Sequence, residues 1–119
     1  EVELVKKSGE SLAELKSKDQ CRIVASRSHR NQETEDFIAS CANTDIVSMG
    51  SSLKFMVLAE QNADIYPRFA PTMEWDTAAS DAILRAVNRG IYQVNAMNKI
   101  TVPLEYNKDY LLNPSFIAY

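Results

Sequence analysis

The stretch that most constrains the fold is Ala70-Pro71-Thr72-Met73-Glu74-Trp75-Asp76-Thr77-Ala78-Ala79. Pro71 bars a helix before it and biases Ala70 toward extended backbone. Thr72 reads as a helix N-cap. After it Trp75, Ala78, Ala79, Ala82, Ile83, Ala86 and Val87 recur at helical spacing. Asp76 thus falls in the first turn of a helix, just behind a strand-like run over residues 63–69. The helix dipole favours a carboxylate there, and the same end favours a bound anion. Trp75 and the alanines predict close packing onto a sheet, which would hold Asp76 rigidly. Local pattern alone favours a plain capping role for Asp76, because caps far outnumber ligands.

Before this stretch, strand signals cover residues 1–5, 21–25 and 45–49, and helix signals cover residues 34–41 and 53–60. Residues 6–19 read as a solvated connection with one helical turn near residues 11–15. Pro67 marks residues 63–69 as an edge strand or a strand end. After the stretch, the helix is expected to close at Arg89-Gly90, a cation followed by a C-capping glycine. Strands are expected over residues 91–97, 100–102 and 114–119, with a polar and aromatic loop over residues 106–113. Strands alternating with helices predict an α/β layer with a mixed, mostly parallel sheet flanked by helices. In such sheets sites gather at the carboxyl ends of strands. Three polar clusters fall there: residues 26–31, residues 50–54, and Arg68 with the turn to Asp76.

A chain of 119 residues, 45% hydrophobic and 24% charged, suits one domain with a real core. Its net charge of −3 leaves no basic footprint for a nucleic-acid polymer. No apolar run is long enough to cross a bilayer and no secretory leader is visible. Cys21 and Cys41 lack zinc spacing and the density of a disulfide scaffold, so both read as free thiols in a reducing compartment.

The run Pro71-Thr72-Met73-Glu74-Trp75-Asp76-Thr77-Ala78-Ala79 resembles the second signature of the magnesium-dependent, lithium-sensitive phosphomonoesterases of the inositol monophosphatase superfamily. Further matches narrow the resemblance to its CysQ-like 3′(2′),5′-bisphosphate nucleotidase branch. They are Ile23-Val24-Ala25-Ser26-Arg27-Ser28-His29, Gly50-Ser51-Ser52-Leu53-Lys54, Ala63-Asp64-Ile65-Tyr66-Pro67-Arg68, Tyr106-Asn107-Lys108 and Leu112-Asn113-Pro114. They stand in family order over most of residues 20–119. Ser80 departs from the pattern, standing where the family usually carries glycine.

The resemblance implies the carboxyl-terminal α/β half of the inositol monophosphatase-like (sugar phosphatase) fold. It also implies hydrolysis of adenosine 3′,5′-bisphosphate to AMP and phosphate, and a place in sulfur metabolism. By motif, Asp76 would ligate Mg2+ shared with the scissile phosphate. Gly50, Ser51, Lys54, Arg68 and His29, with Asp76, would contact the substrate. The resemblance places the protein in the cytoplasm, including the periphery of the inner membrane. The family's amino-terminal half supplies a glutamate and an Asp-Pro-Leu-Asp-Gly-Thr motif that hold most of the metal, and no such motif occurs here. The chain is therefore expected to be an excised or truncated half, inactive or nearly so. Its former interdomain face should be apolar and prone to self-association. Two alternatives stand beside this reading: a non-catalytic nucleotide- or phosphate-binding module, and a phosphatase acting on inositol or sugar phosphates.

Among the neighbours, Glu74 is expected either to tune Asp76 or touch a ribose, or to complement the helix dipole. Trp75, Phe55, Met56 and Leu58 are expected in the core by their spacing. Tyr66 and Phe69 are expected to pack, with the border of a base pocket as the other reading.

Overall fold

Successive side chains of strand β1 (Cys21–Val24) go to opposite faces of a sheet, as the period of a strand requires. Ile23 joins a buried cluster with Leu15, Phe37 and Ile65, whereas Val24 joins one with Phe55, Leu58 and Leu84. Both faces of β1 are covered, which accounts for its near-continuous apolar run. The protein is described from a computed structural model that covers residues 11–26, 30–49, 53–95 and 99–119. The strand read over residues 1–5 lies outside the described residues.

Helix α1 (Leu12–Lys16) precedes β1 and is capped by Ser11. Helix α2 (Gln32–Ala39) then leads to β2 (Thr44–Val47), and α3 (Lys54–Ala59) leads to β3 (Tyr66–Arg68). β1 and β2 pair in parallel, and a parallel bridge from Ile23 to Ile65 sets β3 beside β1. The chain continues through β4 (Thr72–Met73), α4 (Glu74–Ala86), β5 (Ile91–Val94), β6 (Ile100–Pro103), β7 (Leu112–Asn113) and β8 (Phe116–Ala118). β3, β8, β5 and β6 are adjacent in that order and antiparallel throughout. The expected mixed α/β sheet is present, but it is not mostly parallel: among the described residues its parallel part is confined to the helix-linked segments before Arg68. Beyond α4 no helix intervenes between strands, so the chain returns antiparallel. Pro67 lies past the last link to β1, where β3 keeps a partner only in β8, in line with its reading as a strand end. Helices α3 and α4 give Phe55, Val57, Leu58 and Leu84 to one face of the sheet, and α1 and α2 give Leu15 and Phe37 to the other.

Three local expectations are corrected. Thr72 does not cap α4: it pairs with Asn113 in a two-stranded ribbon, and Met73 is the capping residue. The helix does not close on Gly90. Asn88 takes the left-handed conformation (φ 63°) and the Arg89 N–H reaches back to the Leu84 carbonyl at 2.8 Å. α2 starts at Gln32 rather than residue 34, because the Asn31 side chain accepts from the Thr34 N–H at 3.0 Å and caps it.

The largest correction concerns the face that α4 buries. Its interior positions are Glu74, Thr77, Asp81 and Leu84. Trp75 is 67% exposed, Ile83 and Val87 are exposed, and Ala78, Ala79, Ala82 and Ala86 stand with them outside. Trp75 is thus not a core residue, whereas Phe55 and Leu58 are buried and Met56 half-buried as expected. The inversion is tolerated because each inward polar group is hydrogen-bonded. Asp81 accepts from the Tyr106 hydroxyl at 2.8 Å and Arg85 Nε at 3.1 Å, and Thr77 Oγ1 accepts from Asn113 Nδ2 at 3.1 Å. Cys21 and Cys41 are free thiols, and burial, with Cys41 nearby, pushes Cys21 up to about 12.

Two outcomes follow from this packing. Ile83→Ser should change stability by no more than ~0.5 kcal/mol, whereas Leu84→Ala, at 0% exposure, should cost about 2–5 kcal/mol; urea unfolding distinguishes them. Asp64 ties β1 to the entry of β3, accepting from the Arg22 N–H at 2.8 Å and from Lys18 Nζ at 3.0 Å. Burial pushes the Asp64 carboxyl up, but Arg22 and Lys18 outweigh it and hold the group below its ordinary value. The unfolded chain therefore takes up that proton first. The stabilisation is complete above about pH 4 and is lost as pH falls through the depressed value. Asp64→Asn should lower the melting temperature at pH 7 and flatten its decline in acid, read by thermal melts across pH.

Candidate functional site

The carboxyl end of β3 and the amino-terminal turns of α3 and α4 meet where the parallel part of the sheet ends. Arg68 closes β3, Lys54 opens α3 and Asp76 lies in the first turn of α4. A cavity of about 370 Å3 lies between them, walled by Phe55, Tyr66, Arg68, Thr72, Trp75, Asp76, Thr77 and Phe116. A polar crevice of about 50 Å3 adjoins it, walled among others by Ser26, Arg30, Asn31, Lys54, Tyr66 and Arg68. Tyr66 and Arg68 line both spaces. The structure therefore places Asp76 and Arg68 on the cavity and Lys54 and Arg68 on the crevice, with Arg68 common to both. His29, Gly50 and Ser51, the other expected substrate contacts, lie outside the described residues.

Lys54 is 9% exposed and its ammonium lies 5.6 Å from the centre of the Tyr66 ring. No carboxylate pairs with it among the described residues. Burial, and then the charge of Arg68, pull its pKa below the usual lysine value. Arg68 lies beside Tyr66 on the wall of both spaces, and its buried Nε has no partner among the described residues. Two cations crowded together, one with an unused buried donor, form a site whose electrostatics call for an anion. Burial raises the pKa of the Tyr66 phenol, Arg68 opposes this, and the charge of Asp76 adds to it.

Asp76 fills the capping role read for it. One oxygen, Oδ2, accepts from the Met73 N–H at 2.8 Å and caps α4. The other takes no hydrogen bond among the described residues, and the residue is exposed on the cavity wall. A free hard oxygen beside a polar cavity fits one ligand position of Mg2+. Among the described residues no group of three His, Cys, Asp or Glu could hold a metal ion together. Of the two readings of Glu74, the structure keeps the carboxylate in the first turn of the helix and not the contact with Asp76 or a ribose: it faces the interior, where Lys108 holds its carboxyl below the ordinary range, and it does not line the cavity. Tyr66 borders the cavity, and Phe69 packs on Phe37 with ring centres 6.1 Å apart.

Sequence reading missed the partners of the inner face of α4. Glu74, Thr77 and Asp81 recur at helical spacing, a polar stripe legible beside the apolar one. Their partners lie in the matched runs around Tyr106 and Asn113, to which no role had been given.

The model of the inositol monophosphatase family matches residues 3–116, and the chain belongs to that family. It is a CysQ-like member. It is 38% identical over 95 residues to the 3′(2′),5′-bisphosphate nucleotidase CysQ of Escherichia coli (strain K12), covering 79% of this chain and 37% of that protein. The crystal structure of CysQ from Bacteroides thetaiotaomicron aligns with a TM-score of 0.73 at 50% identity, over 86% of this chain and 38% of that one. An inositol monophosphate-bound SaIMPase-II aligns with a TM-score of 0.57 at 14% identity, over 86% of this chain and 38% of that one, and shows the shared fold alone. A protein of the pss 5′ region of Rhizobium leguminosarum bv. phaseoli is 45% identical over 89 residues, 70% of this chain and 88% of that protein. The chain spans less than two fifths of the length of these CysQ relatives. No helix of the described residues is long and apolar enough to cross a membrane.

Charge crowding at Lys54 and Arg68 yields a measurable outcome. Inorganic phosphate should raise the melting temperature of the wild type by mass action, and the gain should vanish in Lys54→Met and Arg68→Met. Lys54→Met should not itself destabilise the ligand-free chain, since it removes a buried, repelled charge. Differential scanning calorimetry with and without phosphate reads both.

Proposed function

We propose that this chain is the carboxyl-terminal half of a Mg2+-dependent phosphomonoesterase that hydrolyses adenosine 3′,5′-bisphosphate to AMP and phosphate. The observation that carries this reading is that Arg68 lines both spaces, beside Lys54 in the crevice and beside Asp76 with its free oxygen in the cavity, neither cation having a carboxylate partner among the described residues. A bisphosphate needs such a division: one phosphate to react and one to be held.

Lys54 meets the retained phosphate as a point charge and Arg68 as a planar fork. Its anionic charge relieves their mutual repulsion, so binding is favoured over leaving the site empty. Asp76 supplies one carboxylate oxygen toward the cation, and capping fixes its side chain before substrate arrives. Mg2+, when bound, neutralises phosphoryl oxygens and activates water. Tyr66 and Trp75 give the cavity aromatic walls suited to a base, which favours a nucleotide over an inositol or sugar phosphate. Gly50, Ser51 and His29 complete the substrate contacts. The remaining metal ligands lie on an amino-terminal half, whose apolar surface covers the outer face of α4. Left uncovered, that face drives self-association.

A second reading, a phosphate- or nucleotide-binding module without catalysis, is favoured by the Rhizobium relative, 88% of whose length is matched by a chain of this kind. One experiment separates the two. The 119-residue chain alone should show no enzyme-like turnover of adenosine 3′,5′-bisphosphate with Mg2+. Joined to the amino-terminal half, it should gain Mg2+-dependent phosphate release that Asp76→Asn abolishes. Turnover by the chain alone, or tight nucleotide binding that persists unchanged in Asp76→Asn without the partner half, overturns the proposal.

A further inference from the structure

The segment of residues 106–113 grips the start of α4 at three places. The Glu74 carboxylate, 6% exposed, accepts from the Asn107 N–H at 2.8 Å and the Lys108 N–H at 3.3 Å, and it pairs with the Lys108 ammonium. Asn107 has a left-handed backbone (φ 64°). That conformation turns two successive N–H groups onto one anion. The backbone N–H of Glu74 donates to the Leu111 carbonyl at 2.8 Å. Asn113, 3% exposed, donates from Nδ2 to Thr72 Oγ1 at 3.1 Å, to the Met73 carbonyl at 3.0 Å and to Thr77 Oγ1 at 3.1 Å. The ribbon pairs Thr72 with Asn113 and Met73 with Leu112.

All three grips act on residues 72–74, and Met73 carries the N–H that Asp76 Oδ2 accepts. Fixing that N–H commits Oδ2 and decides which oxygen of Asp76 stays free on the cavity side. Lower on the helix, Arg85 Nε donates to Asp81 Oδ1 at 3.1 Å, two turns from Met73. That bond stabilises the same helix without touching its first turn.

We propose that Glu74, Lys108 and Asn113 are positioning residues that aim the free oxygen of Asp76 at the cation, and that Glu74 is not itself a ligand. The inference rests on the reading of Asp76 as a metal ligand. Partners that orient a ligand typically change metal affinity 10- to 100-fold when removed.

The test uses the complete protein and Mn2+ as the probe, with affinity read by electron paramagnetic resonance in the absence of substrate. Lys108→Met should weaken Mn2+ by about 10-fold, and Lys108→Arg should restore most of the loss. Asn113→Ala should behave as Lys108→Met does, and if it fails to fold the Lys108 pair, half-exposed and tolerant, decides alone. Arg85→Met should lower the melting temperature yet leave Mn2+ affinity within about twofold of wild type, because it spares the first turn. In turnover, Lys108→Met should lower kcat far more than it raises KM, since Lys54 and Arg68 are untouched. Mn2+ affinity unchanged by Lys108→Met while Asp76→Asn loses it, or a loss in Arg85→Met equal to that in Lys108→Met, overturns the positioning role. Mn2+ affinity unchanged by Asp76→Asn overturns the ligand reading itself.

Discussion

The structure depends on a buried polar seam. A helix that turned its apolar stripe inward would need nothing from residues 106–113. α4 instead places Glu74, Thr77 and Asp81 inside. Each such group, left unpaired, carries a desolvation cost of roughly 1–3 kcal/mol. The seam is tolerable because each inward group of the helix is bonded, so Tyr106, Asn107, Lys108 and Asn113 are as much a part of the helix as its own residues, although the buried Asn113 Oδ1 has no partner among the described residues. It follows that the outer side of α4 is free to carry Trp75, Ile83, Val87 and four alanines, a surface of small and apolar groups on which another element can lie closely.

The cation wall works on the opposite principle. The seam satisfies every charge it buries, whereas Lys54 and Arg68 are held together with their charges uncompensated. Folding energy spent in this way is returned when an anion arrives, which is why binding sites are places where local rules of stability are broken. Asp76 stands between the two principles: one of its oxygens belongs to the helix cap and the other does not.

Much of this was legible in the sequence, and the failures have physical causes. The strand–turn–helix around Asp76, the buried places of Phe55 and Leu58, and the single helical turn after Ser11 follow from local rules. Periodicity located α4 but not its orientation, because a helical stripe reports spacing alone. Trp75 repeats on the apolar stripe while Glu74, Thr77 and Asp81 repeat on the polar one, and only the tertiary partners decide which goes inward. Gly90 was the better C-cap by composition, yet Asn88 tolerates the left-handed conformation and comes two residues sooner. The antiparallel half of the sheet was hidden because strand propensity carries no direction. At the site, Lys54, Arg68 and Asp76 were read from their motifs, whereas the burial of Glu74 depends on Lys108, 34 residues away.

Trp75 is the only tryptophan of the chain, and it stands 67% exposed at the rim of the cavity, one residue before Asp76. Indole emission shifts to shorter wavelength when water is excluded from the ring. The protein thus carries an intrinsic optical reporter at the one place where the helix, the cavity and the uncovered surface meet. Its colour in solution registers whatever settles there, with no label attached.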